Sequence, residues 1–130
     1  MTAAAKLPDN VASWFEIPAA DFDRAVGFYE KVFDTQLISH DMMGARLAVF
    51  PYERPAMSGC IMQGGDTNKP GESGCLIYLV TKGALDGPLS RVVPAGGKVD
   101  TPRTALPEGM GFIAHFIDSE GNRVGLHSHE

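Results

Sequence analysis

The stretch WFEIPAADFDRAVGFYEKVF, residues 14–33, determines the fold of the chain. Its opening combines aromatic and β-branched residues and is typical of a short strand. Asp21 or Asp23 can cap the start of a helix. The apolar residues that follow lie at helical spacing on one face: Ala25, Phe28, Tyr29 and Val32. The stretch therefore predicts a strand followed directly by an amphipathic helix, which ends near Phe33 or Asp34.

Outward from this stretch, the chain predicts the same order of elements twice. Three strand-like segments follow the helix: QLISHDMM, ARLAVFPY and AMSGCIMQG. The second half begins with the strand-like CLIYLVT, continues with ALDGPLSRVVPAGG, which predicts a helix, and ends in further strand-like segments. A shift of 62 residues places Ile17 on Leu79 and Phe33 on Ala95, so both halves follow the pattern β-α-β-β-β.

We therefore expect an α+β fold in which two tandem βαβββ modules form curved mixed sheets around a shared cleft. Residues 1–10 predict a loose N-terminal arm, residues 11–65 the first module and residues 75–130 the second module. Residues 66–74, within the Gly-rich stretch GGDTNKPGESG, predict the linker between them. A concave, partly apolar cleft of this kind is where proteins usually bind small molecules.

The composition argues against several classes of function. The 130 residues carry a formal net charge of −5 with scattered basic residues, which argues against nucleic acid as a partner. No apolar stretch approaches the ~18 residues of a membrane span. The N-terminus lacks the apolar core of a secretory signal, so we expect a cytoplasmic protein with no membrane partner. Cys60 and Cys75 lie in apolar stretches and are expected to be buried free thiols.

Several motifs resemble those of a known superfamily. WFEIPAADFDRAVGFYEKVF is similar to the first strand and helix of vicinal oxygen chelate proteins, and AGGKV with FIDSEGNRVGL is similar to their second module. This superfamily includes glyoxalase I, the bleomycin-resistance proteins and the extradiol dioxygenases. FEIP, GFIAHF and GNRVGLHS bring the chain closest to the bacterial group of predicted enzymes related to lactoylglutathione lyase. The resemblance covers residues 12–128 and implies paired βαβββ modules.

The resemblance also implies where a divalent metal ion would bind. Metal-dependent members take His, Gln or Glu ligands from the first and last strands of each module. Transferred position by position, those ligands fall on Trp14, Gly59, Leu76 and Gly125, or on Cys60 and Cys75 if the register slips by one. The first four offer no side-chain donor, so we expect no cofactor. The alternative is a single divalent ion at a displaced site formed by Glu16 and His127.

The same positions predict a ligand-binding face. If Trp14 and Gly125 mark the cleft, strand alternation adds further residues to that face: Glu16, Gly59, Tyr78 and His127. Trp14 and Tyr78 would supply stacking surface, while Glu16 and His127 would orient the ligand and are the catalytic candidates. A buried Glu16 would suit a general base, and the alternative is a carboxylate that only bonds a neighbour. Arg46 is a further candidate, for an anionic group of the ligand.

Three functions remain open at this point. The first is a glyoxalase- or bleomycin-resistance-like protein, lyase-like or dioxygenase-like, that binds a small organic molecule without a metal. The second is a non-catalytic protein that sequesters a drug or metabolite, and the third is a metal-dependent lyase or dioxygenase with displaced ligands. The resemblance implies a homodimer in each case. His115, in the apolar run GFIAHFI, is expected to be a core or interface histidine.

Overall fold

The structure, a computed structural model, describes residues 11–65 and 68–130. The predicted N-terminal arm lies outside the described residues, as do Asp66 and Thr67 of the predicted linker. The first module comprises β1 (Trp14–Pro18), α1 (Phe22–Phe33), β2 (Ile38–Met42), β3 (Ala45–Val49) and β4 (Ser58–Gly64). The second comprises β5 (Tyr78–Val80), α2 (Asp86–Val92), β6 (Lys98–Ala105), a short 3-10 turn (Pro107–Gly109), β7 (Phe112–Ile117) and β8 (Arg123–Ser128).

The two modules have the same sheet topology. The strand order is β1-β4-β3-β2 in the first sheet and β5-β8-β7-β6 in the second. In each sheet the opening strand pairs in parallel with the closing strand, and the other pairs are antiparallel. Glu16 pairs with Cys60 in the first sheet, and Tyr78 pairs with Gly125 in the second. The predicted α+β fold with two βαβββ modules is confirmed, and the 62-residue shift relates Glu16 to Tyr78.

Helix α1 has the ends that its sequence predicts. The Asp21 side chain accepts a hydrogen bond from the backbone N–H of Arg24 at 3.1 Å, which satisfies a free donor of the first turn. Asp34 adopts a left-handed conformation with φ 50° and ends the helix after Phe33. In α2, Pro88 lies within the first turn, where a missing N–H breaks no helical hydrogen bond.

Both modules share one hydrophobic core, which lies on the helix side of each sheet. Ile17 and Ile61 of the first sheet belong to the same cluster as Phe116 and Leu126 of the second. Phe28 of α1 lies against Phe116, with ring centroids 5.8 Å apart. Helix α1 therefore packs against both sheets. Each sheet has a second face, which points away from this core. We call these two surfaces the outer face of the first sheet and the outer face of the second sheet.

The turn between β7 and β8 fastens the second module to the start of α1. The Asn122 side-chain amide donates to the carbonyl of Pro18 at 2.8 Å. The Glu120 carboxylate accepts from the backbone N–H groups of Ala20 at 2.9 Å and Asp21 at 2.7 Å. These contacts fix the position of β1 relative to β8, and with it the position of the two outer faces.

Candidate functional site

The outer face of the first sheet is built around β1. Trp14 and Glu16 are exposed on this face, whereas Phe15 is half-buried and Ile17 is buried in the shared core. Trp14 is 38% exposed, and its ring lies edge-on to the ring of Tyr52 with centroids 6.2 Å apart. The face therefore combines aromatic surface with a carboxylate. The burial that suited Glu16 to a general-base role is absent in the single chain.

Cys60 lies on the same face, beside Glu16 on the neighbouring strand. It is fully buried in a small apolar cluster with Ala45 and Leu47. Burial raises the pKa of the Cys60 thiol to about 11, and the negative charge of Glu16 acts in the same direction. A hydrogen bond with the Trp14 side chain lowers the pKa and partly offsets both effects. The thiol therefore stays protonated at neutral pH and is a poor nucleophile. The expectation of two buried thiols is wrong for Cys75, which is exposed.

Gly59 points to the core and not to the outer face, which corrects its expected facing. Its strand partner is Phe15, and a Cβ atom at position 59 would overlap the Phe15 ring. Glycine at this position lets that aromatic ring lie flat over β4. Cys60, one residue further along, is therefore the member of β4 that shares the face of Glu16.

Arg46 lies on the helix side of the first sheet, apart from Trp14 and Glu16. Its guanidinium stacks over the ring of Phe22 at 4.3 Å from the centroid and pairs with Asp23 at 3.7 Å. A concavity of about 150 Å³ beside it is also lined by Ser39 and His40. The structure does not bring Arg46 together with the other candidate residues.

The outer face of the second sheet carries three residues on one rung across β5, β8 and β7. Tyr78 pairs with Gly125, and Gly125 pairs with His115. The Tyr78 side chain extends across the glycine, and its hydroxyl oxygen lies 2.7 Å from His115 Nε2. A Cβ atom at position 125 would overlap the Tyr78 ring. The absence of a side chain at Gly125 is therefore what allows this contact.

His115 also contacts a charged pair on the same face. Arg123 Nη2 lies 3.2 Å from His115 Nδ1, and Arg123 Nε donates to Asp100 Oδ2 at 2.8 Å. Burial lowers the pKa of His115, the charge of Arg123 lowers it further, and Asp100 partly opposes both. The hydrogen bond from Arg123 lowers the pKa of Asp100, although its own desolvation opposes this. His115 is buried, as expected, but it belongs to a polar network that the sequence did not reveal.

His127 is half-buried further along β8, opposite Val80. Its Nε2 lies 2.7 Å from the carbonyl oxygen of Met110. A carbonyl oxygen can only accept a hydrogen bond, so Nε2 carries a proton and donates it. The ring also meets His129 edge-on, with centroids 4.8 Å apart. His127 thus has its Nε2 committed to a backbone carbonyl.

These positions divide the predicted site residues between the two sheets. Trp14 and Glu16 lie on the outer face of the first sheet, and Tyr78 and His127 on that of the second. The shared core lies between the two outer faces and separates them from each other. Within one chain the four residues do not form a single cluster. Among residues 11–65 and 68–130, no helix is long and apolar enough to cross a membrane.

The family to which this arrangement belongs follows from comparison with known proteins. The family model described as Glyoxalase/Bleomycin resistance protein/Dioxygenase superfamily matches residues 11–126. The chain belongs to this superfamily. The match spans both modules, so the resemblance to the vicinal oxygen chelate proteins is confirmed. No curated protein sequence matches the chain.

Several solved structures have the glyoxalase fold of this chain. Glyoxalase I from Zea mays matches with a TM-score of 0.65 and 19% identity over 89% of this chain, which spans only 45% of the maize protein. A glyoxalase/bleomycin resistance protein from Albidiferax ferrireducens matches at 0.64 and 13% identity, covering 90% of this chain and 98% of that one. A fosfomycin resistance protein from Listeria monocytogenes matches at 0.62 and 14% identity, covering 93% of each chain. Identities of this size show a shared fold and nothing more.

The superfamily's metal-dependent members raise the question of whether a metal ion fits here. The expected ligand positions hold an indole, two glycines and the half-buried Leu76, none of which supplies a donor atom. If the ligand position in β4 is taken as Cys60 and not Gly59, the site gains only a thiol, which is protonated at neutral pH. Within the part of the chain that the structure describes, no three His, Cys, Asp or Glu side chains lie close enough to hold a metal ion. The donor set does not fit the superfamily's metal site.

Proposed function

We propose that this superfamily member binds a small organic molecule between the outer faces of two protomers, without a divalent metal ion. The observation that supports this is the composition of the two faces. Each carries exposed aromatic surface, at Trp14 and Tyr78, beside polar groups that can orient a ligand, at Glu16 and His127. Apolar surface with a few convergent polar groups is typical of small-molecule sites.

A second copy of the chain would complete the cleft. Apolar side chains are exposed on both outer faces, among them Ile38, Met42 and Val80. Apolar side chains exposed on one face of a sheet are unfavourable in water, and covering them favours association. In a twofold dimer, the first sheet of one protomer meets the second sheet of its partner, and the reverse contact forms at the same time. Such pairing would bring Trp14 and Glu16 of one protomer near Tyr78 and His127 of the other.

The polar groups of the two faces are complementary. The first face presents the carboxylate of Glu16, and the second presents the imidazole of His127 and the guanidinium of Arg123, which is paired with Asp100 at 2.8 Å. Complementary polar groups on surfaces that meet favour one orientation of the partners over others. The same distribution gives a bound ligand a hydrogen-bond acceptor on one side and donors on the other.

The homodimer is tested by light scattering on the purified protein. We expect twice the mass of one chain, and a monomer after Val80→Glu, because Val80 is 79% exposed on the outer face. Val93→Glu is the matched control, because Val93 is 62% exposed at the end of α2, on the helix side. A monomeric wild-type protein, or equal behaviour of the two variants, would contradict the proposed interface.

Ligand and metal binding are tested separately. Trp14 is the sole tryptophan of the chain, so its fluorescence reports on the outer face directly. We expect small aromatic and carboxylate-bearing molecules to quench it saturably, and the effect to be lost in the Val80→Glu monomer. Elemental analysis after exposure to nickel, zinc, manganese and iron is expected to find far less than one ion per chain. One tightly bound ion per chain, lost in Glu16→Ala or His127→Ala, would instead support the displaced metal site.

A further inference from the structure

We infer that the Tyr78 hydroxyl donates a hydrogen bond to an oxyanion or carbonyl oxygen of the ligand, and that Arg123 fixes this polarity through His115. The inference rests on the proposed function, because it assigns chemistry to the outer face of the second sheet. Tyr78 is the binding residue in this scheme. His115 and Arg123 are positioning residues, since they act on the ligand through Tyr78.

The direction of each hydrogen bond follows from the chemistry of the three side chains. A guanidinium has donors only, so Arg123 must donate to His115 Nδ1, which lies 3.2 Å from Arg123 Nη2. An accepting Nδ1 carries no proton, so the proton of the neutral ring is on Nε2. Nε2–H then donates to the Tyr78 oxygen at 2.7 Å. The Tyr78 oxygen is therefore an acceptor toward His115, and its own proton is left for another partner.

The surroundings of His115 maintain this state. Its burial and the adjacent charge of Arg123 disfavour the imidazolium, so the ring is neutral at neutral pH. Asp100 holds Arg123 Nε at 2.8 Å and keeps the guanidinium beside Nδ1. A ring locked between a fixed donor and a phenol cannot exchange tautomers without losing the bond from Arg123.

The Tyr78 side chain that carries this hydroxyl proton lies on the outer face of the second sheet. Tyr78 is 40% exposed, while His115 beneath it is only 7% exposed. Gly125 lets the ring lie across β8, so the hydroxyl is held over the centre of the sheet and not at its edge. A phenol that already accepts from an N–H is a stronger donor, because the bonds polarise one another. The complementary ligand group is an oxygen with negative or partial negative charge.

The polarity can be tested without a ligand. Long-range 1H–15N correlation spectra of the histidine-labelled protein distinguish the two tautomers, and the His115 signals are those missing from His115→Gln. We expect His115 to be protonated on Nε2 alone at neutral pH, and Arg123→Leu to release the ring into a mixture of tautomers. A wild-type His115 protonated on Nδ1, or on both nitrogens, would overturn the inference.

Binding is tested with 4-nitrophenolate, an aromatic oxyanion, and with 4-nitrotoluene, which has a similar ring and no oxyanion. We expect Tyr78→Phe to weaken 4-nitrophenolate binding about ten- to a hundredfold and to leave 4-nitrotoluene unchanged. His115→Phe should reduce the same preference, and His115→Gln, which keeps a donor near the place of Nε2, should restore part of it. Restored preference in the Gln variant separates positioning from a loss of structure.

The outcomes separate this inference from the proposed function. If both probes bind and Tyr78→Phe weakens them equally, the face binds small molecules but Tyr78 is not the oxyanion donor. If the wild type does not bind 4-nitrophenolate, the donor role is overturned, while the dimer and the fluorescence response can still hold. If the Val80→Glu and Val93→Glu proteins behave alike and neither probe binds, both ideas fail.

Discussion

The hydroxyl of Tyr29 donates to Asp118 Oδ2 at 2.7 Å, and this buried contact joins the helix of the first module to the β7–β8 turn of the second. Tyr29 is fully buried, and burial together with the charge of Asp118 raises the pKa of its phenol well above the usual value. The phenol is therefore protonated and acts as a donor at neutral pH. The Asn122 amide shares Asp118 Oδ2 at 3.0 Å.

Tyr29→Phe is expected to lower the free energy of unfolding by about 1–3 kcal/mol, because it removes one donor from a buried carboxylate. Urea unfolding measures the change. Tyr52→Phe is the matched control, since Tyr52 is exposed and loses the same hydroxyl. Equal losses in the two variants would mean that the contact with Asp118 contributes nothing particular to joining the modules.

Gly125→Ala is expected to cost about 1–3 kcal/mol, because the added methyl group overlaps the Tyr78 ring and must push it away. The cost should shrink when Tyr78 is also replaced by Ala, so a double-mutant cycle by urea unfolding isolates the overlap. Gly27→Ala is the control, because nothing lies within 4 Å of a Cβ at that exposed helix position. It should stabilise the protein by about 0.5–1 kcal/mol. Additive effects of Gly125→Ala and Tyr78→Ala would show that the two residues do not compete for space.

The two cysteines are expected to react at very different rates with a disulfide reagent. The Cys60 thiol is buried and has its pKa raised to about 11, whereas Cys75 is exposed. The native protein should show one fast thiol per chain, and Cys75→Ser should abolish the fast phase. Unfolding in denaturant should make both thiols reactive. A fast phase that survives in Cys75→Ser would show that Cys60 is accessible to the reagent.

Acid should destabilise the protein partly through Glu120. Burial by itself raises the pKa of this carboxyl, but hydrogen bonds from Arg24, the backbone of Asp21 and Ser119 outweigh it and lower the pKa below 4.5. The folded state thus holds the proton less tightly than the unfolded state. Its contribution is complete above the unfolded pKa and is lost as the pH falls through the folded pKa.

Glu120→Gln is therefore expected to cost about 1.5–3 kcal/mol at neutral pH, with a smaller difference from the wild type as the pH falls below 4.5. Chemical unfolding at a series of pH values measures the difference. Glu72→Gln, in an exposed loop, should show no such trend. A constant difference across the pH range would indicate that the Glu120 charge does not matter to stability.

Much of the fold could be predicted from the sequence because local patterns specify it. The cap at Asp21 and the apolar spacing of α1 located the helix, and alternation along β1 placed Trp14 and Glu16 on one face. The side of the sheet to which Gly59 points could not be predicted from such alternation. Consecutive residues of β4 are buried on both faces, so Cys60 and Ile61 are equally apolar and alternation gives no direction.

The polar network around His115 also depends on information that a single sequence does not hold. Tyr78, His115 and Arg123 come together through the registers of β5, β8 and β7, which are set by pairing between distant segments. The segment GFIAHFI alone indicates a buried strand, and His115 is indeed buried in one. The facing of Arg46 could not be predicted from the sequence for a similar reason, because β3 packs apolar residues on both sides.

The packing of α1 against both sheets also has a consequence for which residues can be substituted. Since the core lies on the helix side of the sheets, the side chains of Trp14, Glu16 and Tyr78 can be substituted without removing contacts from it. On the proposed function, the side chains that would contact a ligand and those that form the core are alternate residues of the same strands. Substitutions at Trp14, Glu16 and Tyr78 would then alter recognition without removing core contacts, whereas position 125 has to remain glycine as long as the Tyr78 ring lies over it.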